Sequence, residues 1–309
     1  MTGAISQASV PTIDLGRFLA GNAADRRRTG RLVDAPYRET GFLAISNHGV
    51  ARRVIDAAWR AAQEFCDRPL AEKLALMPPC RSDPRGYFPV AAEARSRSRG
   101  IDAPPDAKEG FSSGPLGCPA RARRAPHRDF YYGTNRWPQL PVGVRDAWID
   151  YYHAMETLGA ALTQLFAVAL ELPGNWFEAH HRHHLSALHA LSYPATSVSR
   201  SNPQHRAGER SDHGSVTILR PDPDVGGPEL RLPSGKWITA PDVGNGFLVN
   251  IGYLLARWTN DRWRSTLHRV VAPAARPDGH VRSRQSVAYF QSPDFDTEIC
   301  AIPACVADG

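Results

Sequence analysis

Apolar residues change their spacing near residue 185. Before it, Trp148, Tyr152, Met155, Leu158, Leu162, Leu165, Phe166 and Ala169 fall at three- and four-residue intervals. That spacing predicts an amphipathic helix over about 144–170, stopped by Pro173-Gly174. A second helix is predicted over 52–68. Ahead of it, 41–49 alternates apolar with small or polar residues and ends in a turn, which predicts a strand. Near the start, 10–14 reads as extended, and Asp14 is placed to cap a helix carrying Phe18 and Leu19. Residues 78–142 hold many Pro and Gly with little periodicity, so mostly loop is expected there. After 185, short apolar runs at 187–192, 215–219, 229–232, 237–240, 246–251, 268–272 and 284–291 alternate with turn signals. Many short strands at roughly 8–12-residue spacing predict a sandwich or barrel. The expected layout is a mixed α/β region over 1–142 and a long helix with a β core over 143–309, joined as one unit.

Composition narrows this picture. The chain has 309 residues, 42% of them hydrophobic, which is enough for a sizeable core and excludes wholesale disorder. Its 26 prolines and 25 glycines suit a turn-rich β fold better than a helical bundle. No apolar run reaches the ~20 residues of a membrane helix, and residues 1–10 lack the features of a secretory signal. A cytoplasmic protein with no membrane partner is therefore expected. Five cysteines without a Cys-x-x-Cys pair read as reduced thiols rather than disulfides or a zinc site.

The net charge is +6, and only three of the 37 basic residues are lysines. The arginines are scattered, apart from runs at 95–99 and 121–124 in loop sequence. A nucleic-acid binder concentrates its charge on one face or arm, so no nucleic-acid partner is expected. His180-His-Arg-His-His184 has no carboxylate or cysteine at ligand spacing and reads as exposed surface. No nucleotide-binding glycine loop or Gly-x-Ser-x-Gly elbow occurs.

The chemistry concentrates in Arg210-Ser-Asp-His-Gly214, Val249-Asn-Ile-Gly252, Leu267-His-Arg-Val270 and Arg284-Gln-Ser286. With Val10-Pro-Thr-Ile-Asp14, Gly41-Phe-Leu-Ala-Ile-Ser-Asn-His-Gly49, Arg85-Gly-Tyr87, Lys108-Glu-Gly-Phe111 and Asn135-Arg-Trp-Pro138, these segments resemble the isopenicillin-N-synthase-like branch of the Fe(II)/2-oxoglutarate oxygenases. The resemblance covers nearly the whole chain. It implies a double-stranded β-helix (jelly roll) core, a small-molecule substrate, and iron and 2-oxoglutarate as cofactors. Such a site holds iron with two imidazoles and one carboxylate, leaving three positions for the keto acid and O2. An arginine anchors the far carboxylate of the keto acid through its planar fork.

Carried over by this resemblance, His268 and Asp212 are metal ligands, Arg284 and Ser286 anchor 2-oxoglutarate, and Tyr193 helps hold it. The first histidine of the family's His-x-Asp motif is Arg210 here. A guanidinium stays protonated and offers no lone pair to a metal. Along an extended stretch, residues 210 and 212 point to one side, so Arg210 is expected to pair with Asp212 where the iron would sit. His205 and His213 are the nearby histidines that would have to replace the lost ligand. Tyr253 stands where the family often has Asp.

Three readings follow. The first is a tailoring oxygenase of natural-product biosynthesis with a disrupted iron site. The second is an iron-independent cyclase, isomerase, lyase or pericyclase. In it, Arg210 binds an anion or oxyanion, with Asp212 and His268 as further catalytic groups and no cofactor needed. The third is a non-catalytic relative that binds a small molecule or a partner enzyme. The substrate-side residues are expected from the loops around 85–137 and from the end near Phe290, with the loops as a lid.

Overall fold

The computed structural model describes residues 9–80, 82–92, 105–139, 141–197, 207–223, 225, 227–272 and 280–306. Fourteen strands occur among them. They are β1 (Thr12–Asp14), β2 (Phe42–Ser46), β3 (Gly86–Phe88), β4 (Glu109–Ser113), β5 (Ala187–Tyr193), β6 (Thr196–Ser197), β7 (Ala207–Arg210) and β8 (Val216–Arg220). The rest are β9 (Pro228–Arg231), β10 (Trp237–Thr239), β11 (Phe247–Ile251), β12 (His268–Val270), β13 (His280–Val281) and β14 (Arg284–Gln291). A large sheet runs β1-β2-β11-β8-β14-β5-β4-β3, and a smaller one runs β10-β9-β12-β7. β13 pairs with β6 alone. Side chains of the large sheet (Thr217, Asn250, Arg284) and of the small one (Arg210, Leu230, His268) line one shared pocket. This is the expected jelly-roll core.

The helices are α1 (Gly16–Ala20), α2 (Ala23–Arg31), α3 (Asp34–Glu39), α4 (Arg52–Cys66), α5 (Leu70–Leu74), α6 (Arg128–Tyr132), α7 (Val144–Ala169) and α8 (Tyr253–Trp258). α7 is the long helix that the sequence predicts. Trp148, Tyr152, Met155, Leu158, Leu162 and Phe166 bury its apolar stripe in a core that includes Leu188, Ile218, Val249 and Val287 of the large sheet. Even-numbered β5 residues therefore face the helices, and odd-numbered ones such as Leu191 and Tyr193 face the pocket.

Three details depart from the sequence reading. Asp14 does not occupy the N-cap of α1. Leu15 does, and Asp14 Oδ1 accepts the Gly16 N–H instead at 2.9 Å. α2, capped by Asn22 in a capping box with Asp25, lacked enough apolar residues to stand out. The mostly-loop stretch contributes β3 and β4, which extend the large sheet past β5. Their pattern is weak because polar contacts hold them. Glu109 of β4 is buried against Lys73 Nζ at 2.8 Å and accepts the Tyr87 hydroxyl at 2.5 Å.

All five cysteines are free. Among the described residues, no helix is long and apolar enough to cross a membrane. The arginine run at 95–99 and His205 lie outside the described residues.

Candidate active site

Asp212 lies in the turn between β7 and β8. Its own carbonyl accepts the Tyr253 N–H at 2.7 Å, and the Gly252 N–H donates to Ser215 O at 2.9 Å. These bonds press the 212–215 turn against the start of α8. Only glycines tolerate the approach: a Cβ on Gly252 would meet Gly214 O at 2.0 Å, and one on Gly214 would meet Gln291 O at 2.7 Å. The spacing of Asp-x-Gly and Asn-x-Gly in the sequence is thus a packing requirement that fixes the Asp212 side chain.

That side chain is buried and fully engaged. Oδ2 accepts from Thr217 Oγ1 at 2.6 Å and from Asn250 Nδ2 at 2.8 Å. Oδ1 lies 3.5 Å from His268 Nε2. Burial alone would push the carboxyl up, but His268, Arg210 and Thr217 outweigh it and hold the group well below the usual carboxylate range.

His268 sits on β12 directly across from Arg210 on β7. Its Nδ1 is 3.1 Å from Thr266 O. A carbonyl only accepts, so Nδ1 carries a proton and Nε2 is the atom turned towards Asp212. The 3.5 Å separation is longer than a charge-assisted hydrogen bond.

Arg210 does not make the expected contact pair with Asp212. Its Nη1 turns back to Gly208 O at 3.3 Å, and among the described residues Asp212's ion pair is with His268. The guanidinium still acts on Asp212 through space. β7 ends at Arg210, so the chain is no longer regular strand by Asp212, and the same-side rule for residues 210 and 212 loses its hold.

At the other end of the pocket, Arg284 of β14 pairs in register with Tyr193 of β5. It is only 2% exposed. Its guanidinium lies 5.1 Å from the Tyr193 ring centroid, Nη1 is 3.5 Å from Ser286 Oγ, and buried Nε has no hydrogen-bond partner. Burial above all depresses its pKa. Arg210 adds to this, while Tyr193 and Asp222 oppose it. A buried cation short of partners fits a carboxylate ligand.

The iron of the resembled family fits less well. Asp212 and His268 converge as two ligands would, and the residue across from His268 is Arg210, whose guanidinium offers a metal no lone pair. Among the described residues, no group of three or more His, Cys, Asp or Glu side chains is arranged to hold a metal. His213 points elsewhere, into a wider cavity with Arg85, Phe130, Tyr131, Tyr253 and Phe295. The His180–His184 run is not a metal cluster either. His184 pairs with Glu156 at 3.1 Å, and burial pushes His181 down to about 4.

Sequence reasoning missed several pocket groups. Lys108 is buried beside Asp106 at 3.6 Å, and Arg269 pairs with Glu229 at 2.8 Å. Ser112 Oγ and His189 Nε2 lie 3.0 Å apart on the pocket face of β4 and β5. Of these, Lys108 had a signal, since it precedes the Glu-Gly-Phe of β4. Asn250, in Val-Asn-Ile-Gly, had another.

Residues 10–140 match the family described as non-haem dioxygenase in morphine synthesis N-terminal, and 182–293 match the 2OG-Fe(II) oxygenase superfamily. Validamycin A dioxygenase of Streptomyces hygroscopicus subsp. limoneus is 27% identical over 303 residues, covering 97% of this chain and 81% of the relative. A 2-oxoglutarate-dependent dioxygenase of Aspergillus rugulosus is 29% identical, covering 95% and 91%. A full-length Neurospora crassa protein, solved in complex with alpha-KG and thymine, superposes with a TM-score of 0.85 at 27% identity, covering 98% of this chain and 92% of that one.

Proposed function

Because this chain belongs to the Fe(II)/2-oxoglutarate oxygenase superfamily, in its isopenicillin-N-synthase-like branch, we propose that it is a small-molecule tailoring enzyme of natural-product assembly whose family iron site Arg210 has disrupted. The observation that carries this reading is the donor set: Asp212 and His268 converge, and the residue across from His268 is a cation with no lone pair. The relatives named for a natural product or for 2-oxoglutarate support the substrate class, a small molecule taken into the jelly-roll pocket.

In this reading the chain's own residues do the chemistry. The substrate enters between the two sheets. Arg284 and Ser286 bind a carboxylate at the large-sheet end. Arg210 offers its fork to a carboxylate or to a developing oxyanion or enolate in a pocket walled by Leu191, Leu230 and Val270. His268, with Nδ1–H held by Thr266 O, exchanges a proton at Nε2, which lies 3.5 Å from Asp212 Oδ1. A redox-neutral cyclisation, elimination or isomerisation needs no more than these groups.

One observation favours a second reading, a working oxygenase with two protein ligands. The Arg284–Ser286–Tyr193 end keeps the features of a keto-acid anchor.

Anaerobic addition of Fe(II) and 2-oxoglutarate separates the two. The iron-independent reading expects no metal-to-ligand charge-transfer absorption and no iron retained on elemental analysis. A visible band with stoichiometric iron would sink it. Arg210→His is expected to raise retained iron towards one per chain by supplying the missing imidazole. If Arg210→His retains no more iron than the natural chain, Arg210 is not what disrupts the site.

A further inference from the structure

We propose that Arg210 takes over the anchoring that a metal ion would supply, so that the pocket binds a short dicarboxylate of the glutarate and 2-oxoglutarate class without metal. One carboxylate sits on Arg284 and Ser286, the other on Arg210. This inference rests on the iron-independent reading above and names its ligand.

The pairing of charges around the pocket leads to it. Lys108 is matched by Asp106 and Arg269 by Glu229. Asp212 is matched by His268, Thr217 and Asn250. Two cations are left. Among the described residues, neither Arg210 nor Arg284 has a carboxylate within ion-pairing distance; Arg210 donates to Gly208 O at 3.3 Å, and Arg284 has Ser286 Oγ at 3.5 Å and the Tyr193 side chain beside it. They project from different sheets, Arg284 from β14 and Arg210 from β7, onto the same pocket. They are close enough for the charge of Arg210 to depress the pKa of Arg284 further than burial does.

Two like charges sharing a low-dielectric pocket repel, and an anion between them relieves both. A guanidinium also prefers a carboxylate, which its fork grips with two parallel bonds. One carboxylate would satisfy one arginine and leave the other. Leu191, Leu219, Leu230, Val270 and Phe290 are part of the same lining and suit the methylene carbons of such a ligand. Arg210 therefore fills the role at the near end of the ligand that iron fills in the resembled family.

The test is calorimetric titration of the full chain in excess chelator with glutarate, 2-oxoglutarate and valerate. Valerate matches glutarate in length but has one carboxylate. Glutarate and 2-oxoglutarate are expected to bind without metal, and valerate at least tenfold more weakly. Arg210→Gln is expected to weaken glutarate at least tenfold and leave valerate within twofold. Arg284→Gln is expected to weaken all three. Arg210→Lys keeps the charge without the fork and is expected to fall between the natural chain and Arg210→Gln. It carries the test if the glutamine variant does not fold.

Glutarate binding no better than valerate, an unchanged glutarate affinity in Arg210→Gln, or binding that appears only on adding Fe(II) would each overturn the proposal. Glutarate has no keto group with which to chelate, so its affinity reports on the arginines alone. Iron retention fails separately: a chain that holds iron yet binds glutarate in chelator through Arg210 would overturn the iron-independent reading and keep this one.

Discussion

The two ends of the pocket are each built around an arginine, yet the arginines sit differently. Arg284 is buried within the large sheet, against the Tyr193 ring and beside Ser286. Arg210 stands half-buried at the end of a four-residue strand in the small sheet, next to a carboxylate engaged by others. At the large-sheet end, every residue agrees with a carboxylate anchor. At the small-sheet end, Asp212 and His268 converge, while Arg210 across from His268 offers no lone pair to a metal. A fold can keep one half of a binding site while the other half changes, because separate sheets supply them. The strand holding Arg210 need only keep its backbone pairing with β12.

The sharpest way to break this comparison is Asp212→Ala. It strands Thr217, Asn250 and His268 in a buried setting and removes an anion that feels the charge of Arg210. A loss of about 3–5 kcal/mol in urea unfolding is expected. A loss below ~1 kcal/mol would mean that this end carries no structural weight.

Arg284→Met should behave in the opposite way. It removes a buried cation with an unpaired Nε, so stability is expected to hold or rise, by up to roughly 1 kcal/mol. Affinity for 2-oxoglutarate or glutarate should fall by about 1.5–3 kcal/mol, the worth of hydrogen bonds to a charged group. Calorimetry and thermal melting on one preparation read both. If stability fell as far as in Asp212→Ala, the two ends would not differ in kind.

Tyr193→Leu tests the support of the anchor. Losing the ring under the guanidinium is expected to cost about 0.5–1 kcal/mol of ligand affinity, a few-fold change. The smallest effect belongs to His213→Ala. The His213 side chain lines the neighbouring cavity and not the pocket of Arg210 and Arg284, so ligand affinity and iron retention should stay within about twofold. A larger change in iron retention would make it a metal ligand after all.

Much of this was legible in the chain. The three- and four-residue spacing from Trp148 to Phe166 marked α7, because a long helix must bury a continuous stripe. β14 was read to the residue, as a short apolar run set between turn signals. β7 and β4 were less visible. β7 is four residues long, and β4 is held by Glu109, Lys73 and Tyr87 rather than by an apolar pattern.

The sequence by itself determined the family and the jelly-roll class, and it supplied the reading that puts Arg210 at the motif's histidine. Residue type and local spacing carry that information. Only the tertiary structure decided which charges cancel. It set Lys108 against Asp106 and Arg269 against Glu229, turned Arg210 to Gly208 instead of Asp212, and sent His213 to another cavity. The physical reason is the range of the interactions. A helix or strand reports itself through neighbours a few residues away. Charge pairing depends on separations of a few ångströms between strands remote in sequence, and it is fixed only when the two sheets close on each other.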